Sequence, residues 1–550
     1  MRAFLEALGQ LRTNHPPAPG ERAWYFLAYD QLSEEFGPLA RLAPEQIGIV
    51  LVESAAKARR RPYHKQKLAM VLANLRHFAL EQAQRGVEIE YLAGDHSYAD
   101  ALGAVIARRG RLRMMRPAER ELRVELRALV ERGDLVEEPH DGWLTGAREF
   151  VDAVGPEPPW RMDAFYRYIR RQRGILMDER NKPLGGRFSH DGDNRQAWSG
   201  DPPAPGFPRF EADPITREVA ELIETKFADH PGELELERLP STRADAQALW
   251  TWARSACMEH FGPYEDAMSL ESRGLFHTRI SPLVNLGRLS PRRLLDDVLA
   301  LDIPLSSKEG FVRQLIGWRE FVHHVHEATD GFRRYLPPGT LKTEANAASE
   351  EPDDPLASSR PNFMEARVPL PPAYWGRPSG LRCLDEVVES VWAEGWSHHI
   401  TRLMVSSNIA MLLDVDPREL TDWFWVAYTD AYDWVVEPNV LAMGSYAVGD
   451  LMTTKPYVAG SGYIHKMSDY CRGCAFHPKK NCPLTPMYWA YLDRNAKRLE
   501  ENLRVRIPLR SLERRKPAQR SRDRAIFEAV RDALAAGDRV TPEGLGPTKA

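Results

Sequence analysis

Four of the five cysteines lie in the last third of this 550-residue chain, and gathering them would constrain how that part folds. Cys471 and Cys474 form a C-x-x-C motif, Cys482 follows closely, and Cys383 lies far upstream. Four thiolates at one point suit zinc or an iron–sulfur cluster, and the spacing alone does not separate the two. The sequence therefore predicts a metal centre that ties distant segments together. Such a centre could have a redox role, and the alternative is a zinc knuckle that only holds helices together.

The composition is that of a soluble globular protein, with 43% hydrophobic residues, 28% charged residues and a net charge of −4. No apolar run is long enough to span a membrane, and the N-terminus lacks the apolar segment of a signal peptide. An odd number of cysteines argues against a disulfide framework, and Cys257 is expected to be a buried, isolated thiol. We therefore expect a cytoplasmic protein of two or more domains without a membrane partner.

The first 150 residues alternate short apolar segments with amphipathic ones. Strand-like segments occupy 24–30, 47–54, 87–93 and 112–119, and a long amphipathic segment occupies 64–86. This βαβ rhythm predicts a mostly parallel sheet with helices on both faces, as in a Rossmann-like α/β domain. No G-x-G-x-x-G follows the first strand, so the usual dinucleotide fingerprint is absent.

The rest of the chain divides by composition. Residues 151–215 are rich in Pro, Gly and Arg and are predicted to be an interdomain linker, and residues 216–510 have a helical pattern throughout. The polar stretch 337–361 is predicted to be a surface insertion. Residues 511–550 form a basic C-terminal tail with a short amphipathic helix. The expected fold is an α/β domain followed by a large all-α domain.

Half of the fourteen tryptophans lie close together in the helical part. They are Trp375, Trp392, Trp396, Trp423, Trp425, Trp434 and Trp489. A large helical core would account for them one by one, because aromatic side chains supply much of core burial. The sharper interpretation is a path along which electrons hop between indole rings.

Two histidine groups stand out. His398 and His399 are adjacent on a predicted helix, so their side chains point about 100° apart and do not readily share a metal. One of them facing a pocket could move a proton near neutral pH, and the alternative is a hydrogen-bonded core histidine. The group His323, His324 and His326 is expected on a solvated helix face.

Two further segments suggest a bound ligand. FHTRISPLVNLGRLSP (276–291) combines hydroxyls with a helix start, where backbone N–H groups can hold a phosphate. Asp416 is the expected N-cap of a helix that leads to Asp430 and Asp433. These two carboxylates are one turn apart and could face one ligand.

Taken together, many motifs resemble the photolyase/cryptochrome family. FHTRISPLVNLGRLSP and RQLIGWREFV resemble its flavin-binding part. HHITRLM, DAYDWVVEPNV, KPYVAGSGYIHKMSDYCRGC and CPLTPMYWAYL resemble the branch of iron–sulfur bacterial cryptochromes and prokaryotic (6-4) photolyases. YDQLS, RPYHKQKLAMVLANLRHFA and GILMDERNKPLGGRFSHDGDNR belong to the same pattern, so the resemblance covers roughly residues 24–510.

The resemblance implies an N-terminal antenna domain and a helical domain that binds FAD and a [4Fe–4S] cluster. It assigns the cluster to Cys383, Cys471, Cys474 and Cys482. It assigns FAD to Thr278, Arg279, Ser281, Trp318, Arg319, Asn408, Asp430 and Asp433. A 6,7-dimethyl-8-ribityllumazine antenna would lie beside Asp30 and Glu53.

The implied activity is light-driven repair of (6-4) photoproducts in UV-damaged DNA, with an electron from reduced FAD and a proton from a histidine. Electrons would reach the flavin through Trp423 and Trp375. The lesion pocket would contain His398, His399, Tyr457, Tyr463 and Asp266. Arginines of the linker and the basic tail would hold DNA phosphates (Arg161, Arg167, Arg170, Arg171 and Arg173 in the linker). A monomer is expected.

Two other functions stay open. A cryptochrome-like blue-light photoreceptor would bind the same flavin and cluster but signal through a partner, with the tail and the insertion as docking points. An iron–sulfur DNA-binding protein without light chemistry would use its aromatic residues only as core. Flavin in the purified chain would exclude this last function.

The sequence departs from the family pattern at four places. Tyr29 stands where the family usually has Gly, which could narrow the antenna pocket. Phe424 replaces a frequent Tyr beside Trp423, and Cys474 and Cys482 are closer together than usual. The 337–361 segment has no counterpart. The first departure concerns the lumazine, and the others leave the flavin and cluster predictions intact.

Overall fold

The computed structural model describes residues 1–17, 20–335 and 356–545. Most of the predicted insertion at 337–361 lies outside the described residues. Where the chain resumes, the Ser359 hydroxyl donates a 2.6 Å hydrogen bond to the Gly331 carbonyl. The two ends of the omitted segment are therefore close together in space.

The N-terminal part contains a five-stranded, fully parallel sheet in the order β3-β2-β1-β4-β5. Its strands are β1 (Ala23–Phe26), β2 (Ile47–Ser54), β3 (Glu88–Gly94), β4 (Leu112–Met115) and β5 (Leu135–Glu138). The first four correspond to the predicted strands. Strand β5 escaped prediction because its sequence LVEE is short and half charged. The predicted α/β fold class is confirmed.

Both faces of this sheet are covered. In β2, Ile47, Ile49 and Leu51 belong to one buried cluster while Val50 and Val52 belong to the other, the two-residue alternation of a strand with both faces buried. The covering helices are Arg2–Asn14, Pro38–Arg41, Ala55–Arg59, Lys65–Gln84, Tyr98–Arg109, Arg120–Glu131 and Ala147–Val154. The long amphipathic segment predicted at 64–86 thus forms a single long helix, Lys65–Gln84.

The remainder is helical, as predicted. Its helices are Met162–Arg173, Pro214–Lys226, Arg243–Trp252, Ser281–Asn285, Pro291–Ala300, Leu305–Val312, Glu320–Ala328, Arg382–Glu394, His399–Thr401, Asn408–Leu412, Pro417–Ala427, Asp433–Val436, Ser461–Met467, Leu484–Asn495, Arg506–Glu513 and Pro517–Ala535. The predicted N-cap Asp416 accepts hydrogen bonds from the Arg418 and Glu419 amides. Among the described residues, no helix combines the length and apolar character needed to cross a membrane.

Four segments of this helical part are wound as π-helix. They are Ala253–Cys257, Arg313–Arg319, Arg402–Ser407 and Glu437–Gly444. Such segments are rare and cluster at functional sites, because the extra residue per turn redirects side chains. Their positions provide a structural guide to the site.

The two parts share one core. A single buried cluster includes Phe26 from the sheet, Leu122 from helix Arg120–Glu131 and Trp423 from the helical part. The Asp433 carboxylate accepts a 3.1 Å hydrogen bond from the Glu121 amide at the start of helix Arg120–Glu131. A carboxylate at a helix N-terminus is electrostatically favourable, so this contact helps to join the two parts.

The basic C-terminal segment is a packed helix. Helix Pro517–Ala535 lies on helix Leu484–Asn495, where the Arg494 guanidinium lies 4.1 Å from the Phe527 ring centroid. Beyond it, the Val540 amide donates a 2.8 Å hydrogen bond to the Ser379 carbonyl, close to Cys383 in the sequence. The segment predicted to be a tail therefore contacts the region that contains the cysteines.

Candidate active site

A cavity of about 340 Å³ lies among the helices. Six of the eight residues predicted to bind FAD line it: Thr278, Arg279, Ser281, Trp318, Arg319 and Asp430. Three of the π-helical segments also contribute to the wall, through residues such as Trp318, Arg402 and Asn439. The unusual winding of these helices therefore coincides with the largest concentration of predicted site residues.

Paired charges line one wall of the cavity. The Asp430 carboxylate receives two hydrogen bonds from Arg402, at 2.9 and 3.0 Å, and one from the Ser281 hydroxyl at 2.7 Å. Burial acts to raise the pKa of Asp430, but the Arg402 guanidinium outweighs it and the pKa is lowered. Arg279 pairs with Glu394 and lies 4.1 Å from the Trp396 ring centroid. Asp430 is thus held ionised and Arg279 is held in place.

Two predicted FAD residues lie outside the set that lines the cavity. The Asn408 side chain exchanges two hydrogen bonds with the Ala459 backbone, at 2.9 and 3.1 Å. Asp433 faces the sheet part, where burial raises its pKa to about 7. The carboxylates of Asp430 and Asp433 therefore do not face a common ligand.

Three imidazoles meet at the cavity. His398 and His399 line it, as does His277, which the sequence analysis did not single out although it precedes Thr278 directly. The rings of His277 and His398 stack at 4.5 Å with an interplanar angle of 11°. Burial, with the neighbouring imidazoles, lowers the pKa of both well below the usual histidine value. These two rings are therefore neutral at physiological pH.

The ligand nitrogens of these three histidines lie within 4.8 Å of one another, a spacing that also occurs in metal sites. Two nearly parallel stacked rings direct their lone pairs along parallel planes, so they do not converge on one ion. Within the described part of the chain, Nε2 of His277 and Nδ1 of His398 are buried without a hydrogen-bond partner. This arrangement is better suited to hydrogen bonding with a ligand in the cavity than to metal coordination.

His399 differs from its two neighbours because 43% of its side chain is exposed and it faces a carboxylate. Its Nε2 lies 3.6 Å from the Asp266 carboxylate, which accepts a 2.8 Å hydrogen bond from the Tyr463 hydroxyl. Burial acts to raise the pKa of Asp266, but these two partners lower it. Asp266 thus stays ionised and presents a carboxylate to His399.

Arg195 contacts the Asp266 carboxylate, and Tyr457 lies within electrostatic reach of Arg195. The Arg195 guanidinium is 3.6 Å from Asp266, and the charges of Asp191 and Arg195 influence Tyr457, whose own pKa is raised mainly by burial. In the sequence, Arg195 is only the last residue of the family-like segment GILMDERNKPLGGRFSHDGDNR. Its place beside Asp266 depends on the fold, since the two residues are far apart in sequence.

The two tryptophans predicted for electron transfer are connected by a third. Trp423 is buried, its ring centroid is 6.2 Å from that of Trp392, and Trp392 stacks on Trp375 at 5.4 Å. Trp375 is 48% exposed. At the inner end, Phe424 and Tyr428 line the cavity, and their rings lie 5.0 and 5.9 Å from Trp423. An aromatic path therefore joins the cavity to the surface, with Trp392 as its middle member.

A second pair of aromatic rings leads away from the cavity. Trp434 lines it and makes an edge contact of 5.1 Å with the partly buried Trp143. The Arg319 guanidinium lies 4.1 Å from the Trp143 ring and 5.7 Å from the Trp434 ring. The two exits thus have comparable ring spacing but different electrostatic surroundings.

The four clustered cysteines meet beside the tryptophan path. Cys383 is on helix Arg382–Glu394, and Cys471, Cys474 and Cys482 lie between the last two helices before Arg506. Burial, with repulsion between neighbouring thiolates, raises the pKa of Cys383 and Cys471 and raises that of Cys482 to about 12. Thiols in this setting become thiolates readily only when a cation binds them.

The sulfur spacing bears on the kind of metal. In the part of the chain that the structure describes, no three of the cysteine sulfurs all lie within 4.8 Å of one another. A tetrahedral zinc site with bonds of about 2.3 Å would place its sulfurs roughly 3.8 Å apart. The observed set is wider and leaves room for a polynuclear cluster.

The structure corrects two expectations. His324 and His326 are buried, and Nε2 of His326 lies 3.0 Å from Glu437, so this histidine group does not form a solvated face. Arg170 is 1% exposed and donates to the carbonyls of Ile175, Leu176 and Phe188, so it cannot reach DNA. Both errors arise because helical periodicity does not reveal which face another part of the chain covers.

The predicted antenna residues lie at the carboxyl edge of the sheet. Asp30 follows β1 and Glu53 is near the end of β2, next to the point where the strand order reverses between β1 and β4. Ligands of open parallel sheets commonly bind in this crevice. Here the Glu53 carboxylate is already bonded to Arg76 at 2.8 and 2.9 Å and to the Tyr91 hydroxyl at 2.6 Å.

Comparison with known proteins agrees with this architecture. Residues 25–239 match the family described as deoxyribodipyrimidine photo-lyase-related protein. The chain is 32% identical over 500 residues to a (6-4) photolyase of Agrobacterium fabrum, an alignment that covers 87% of this chain and 93% of that protein.

Two solved structures share the fold. A bacterial class III photolyase from Agrobacterium tumefaciens superposes with a TM-score of 0.51 at 14% identity, covering 94% of this chain and 99% of that one. A cryptochrome from Synechocystis sp. PCC6803 gives 0.50 at 13% identity, covering 92% and 94%. At these identities the two structures inform on fold alone.

A parallel sheet joined to a helical part with a central cavity is thus the architecture of photolyases and cryptochromes. Together with the identity to a (6-4) photolyase over most of both chains, it leads to a plain conclusion. The chain belongs to the photolyase/cryptochrome family. The family implies a flavin as cofactor.

Proposed function

We propose that this chain is a light-driven DNA photolyase that repairs (6-4) photoproducts. The observation that carries the proposal is the contact between His399 and the Asp266 carboxylate at the rim of a cavity whose inner wall holds two neutral histidines. Repair of this lesion needs both an electron and a proton, and the site combines a flavin-sized cavity with a proton donor. The similarity to a (6-4) photolyase supports the same conclusion.

The cavity fits FAD by the chemistry of its wall. Its volume falls within the range of roughly 300–1,000 Å³ that ligand pockets occupy. Nε of Arg319 and Nε1 of Trp434 are buried donors without partners among the described residues, and a ligand rich in oxygen and nitrogen would satisfy them. We propose that Thr278, Arg279 and Ser281 hold its phosphates and that Trp318, Arg319 and Asp430 lie beside its remaining parts. Asn408 and Asp433 lie outside the cavity lining and would support the residues that form it.

The reduced flavin, when bound and excited by light, supplies one electron to a lesion flipped out of the duplex. His399 faces Asp266 through Nε2 and is placed to donate a proton to the group that moves between the two bases. His277 and His398 stay neutral and offer unpaired nitrogens to the polar atoms of the lesion. Tyr463 orients Asp266, and Tyr457 closes the same side of the pocket.

Replacing Asp266 with Asn should slow repair by up to about 10²-fold, because a misplaced catalytic group can cost that much. The variant loses the carboxylate charge that faces Nε2 of His399 and accepts a hydrogen bond from Tyr463. Single-turnover repair in light measures the rate, with Asp229→Asn, an exposed carboxylate elsewhere, as the control. An unchanged repair rate would contradict the role given to Asp266.

We propose that the flavin is reduced through Trp423, Trp392 and Trp375. The indole N–H groups of Trp423 and Trp392 both donate to the Tyr374 carbonyl, each at 2.9 Å. The negative end of this carbonyl dipole favours the positive charge that an indole bears after losing an electron. In the second path, the Arg319 cation lies close to the Trp143 and Trp434 rings and disfavours a positive charge on either indole. Electrostatics therefore selects one of two similarly spaced exits.

Trp392→Phe should slow flavin photoreduction about as much as Trp423→Phe, because the electron path between Trp423 and the exposed Trp375 would lose its middle member. Absorbance of oxidised flavin under continuous blue light with an external reductant measures the rate. Trp489→Phe is the matched control, since Trp489 lies in the same tryptophan-rich region but packs against Tyr488 and Arg515. Normal photoreduction in Trp392→Phe would remove this residue from the path.

We propose a [4Fe–4S] cluster on Cys383, Cys471, Cys474 and Cys482. The sulfur spacing supports a polynuclear occupant over a single zinc ion, and the burial of the thiols calls for a cation that stabilises their thiolates. When bound, such a cluster supplies an electron carrier and a covalent tie between distant segments. The division into an antenna domain, a linker, a flavin domain and a C-terminal segment is part of the same proposal, as is a monomer acting on DNA in the cytoplasm.

Light-dependent repair tests the proposal directly. DNA carrying separately quantified (6-4) photoproducts and cyclobutane dimers is incubated with the flavin-loaded protein in light and in darkness. Loss of (6-4) lesions in light alone is the expected result. No repair of either lesion by protein that holds reducible flavin would contradict the proposal and favour a photoreceptor.

A further inference from the structure

The antenna position at the carboxyl edge of the sheet is nearly filled in this protein. The cavity there measures about 70 Å³, against about 340 Å³ for the cavity among the helices. Its lining includes Tyr29, Glu53, Lys57, Tyr98, Glu119 and Tyr432. A space of this size holds a few water molecules, whereas ligand pockets measure roughly 300–1,000 Å³. A bicyclic lumazine with a ribityl chain does not fit.

Tyr29 is the residue that fills the space. It follows β1 directly, is buried, and lies between two other tyrosines: its ring is 6.2 Å from Tyr98 and stacks on Tyr432 at 6.0 Å. Its hydroxyl donates a hydrogen bond to the Glu119 carboxylate. The ring is thus packed on both sides and anchored at its tip, so it is a fixed part of the interior.

The carboxylates of Glu119 and Glu53 near Tyr29 are paired within the protein, whereas Oδ1 of Asp30 and the Tyr432 hydroxyl are buried without a hydrogen-bond partner among the described residues. The Glu119 carboxylate also pairs with Lys57 at 2.9 Å, and Lys57 pairs in turn with Glu121 at 2.8 Å. Both oxygens of Glu53 are taken by Arg76. Asp30 is buried outside the cavity lining and accepts a hydrogen bond from the Ala118 amide at 3.2 Å. The two carboxylates predicted to hold the lumazine are therefore not both available to a ligand.

We infer that Tyr29 excludes the lumazine antenna from the carboxyl edge of the sheet in this protein. The Tyr29 side chain occupies the volume that the chromophore ring would need, and its hydroxyl is hydrogen-bonded to Glu119. A glycine at this position would leave that volume open, which makes position 29 the determinant of whether the antenna binds. This inference concerns binding alone and does not depend on which DNA lesion the protein repairs.

Reconstitution with 6,7-dimethyl-8-ribityllumazine tests the inference. The full-length, flavin-loaded protein is incubated with excess lumazine and desalted, and the retained chromophore is quantified by fluorescence after acid extraction. The natural chain should retain less than about a tenth of an equivalent per protein, and Tyr29→Gly close to one equivalent. Tyr29→Phe, which keeps the ring and loses the hydroxyl, should still exclude it.

A thermal unfolding readout separates exclusion from misfolding. Lumazine should raise the unfolding temperature of Tyr29→Gly, since a ligand that binds only the folded state stabilises it, and should leave that of the natural chain unchanged. Stoichiometric retention by the natural chain would overturn the inference. So would a folded, flavin-loaded Tyr29→Gly that retains no lumazine. If Tyr29→Gly does not fold, Tyr29→Ala replaces it. Lumazine retention and the shift in unfolding temperature are then compared between Tyr29→Ala and the natural chain.

Discussion

His399→Ala should reduce light-driven (6-4) repair by about 10²–10⁴-fold, the range over which a positioned general acid contributes. The variant loses the ring that faces Asp266. It leaves the core packing intact, because 43% of the His399 side chain is already exposed. His398 cannot take over its role, since it is buried and its pKa is well below the usual value. Single-turnover repair in light with flavin-saturated protein measures the loss.

The control for this variant is His465→Ala. His465 is an exposed histidine on helix Ser461–Met467, the helix that carries Tyr463, so it tests for general effects of losing an imidazole in this region. Flavin content and photoreduction should match the natural chain in both variants. Repair by His399→Ala at the normal rate would contradict the proposed proton transfer, whereas joint loss of flavin and repair would point to a structural role.

Cys474→Ser should leave little folded, soluble protein. Structural metal sites contribute on the order of 10 kcal/mol to folding, comparable with the whole net stability of about 5–15 kcal/mol for a typical protein. Here the site joins helix Arg382–Glu394 to the segment around Cys474 and, through Ser379 and Val540, to the C-terminal segment. Loss of one ligand should therefore loosen three parts of the helical region together.

Cys257→Ala is the matched control, because Cys257 is a buried cysteine outside the four-cysteine group. Its packing beside Leu275 and Phe276 predicts only a modest loss of stability. Iron and acid-labile sulfide per protein, with the unfolding temperature, distinguish the two variants. Stable and soluble Cys474→Ser protein that contains no iron would contradict the proposed tie.

The sequence was most informative where a pattern is local. The alternation of strand and helix over the first 150 residues predicted a parallel sheet because each element must bury its own apolar face, and four of its five strands follow the apolar segments. The Asp416 N-cap was predictable for a similar reason, since its hydrogen bonds are to amides two and three residues away. The family resemblance rested on motifs of the same local kind.

The site required more than local pattern. Arg195, Asp266 and His399 come from three distant segments, and no periodicity reveals that they converge. Trp392 was visible as one of seven tryptophans, but only the fold places it between Trp375 and Trp423. The buried His324 and His326 were misassigned because a helix pattern leaves open which neighbour covers its polar face.

Position 29 shows the same division most clearly. The substitution of Tyr for the family's usual Gly is legible in the sequence, but its consequence depends on Tyr98, Glu119 and Tyr432, which approach it only after folding. Backbone propensity, capping and two-residue alternation act between near neighbours and are encoded directly in the chain. Burial, pKa shifts and cavity volume depend on contacts between distant segments, so tertiary packing decides them.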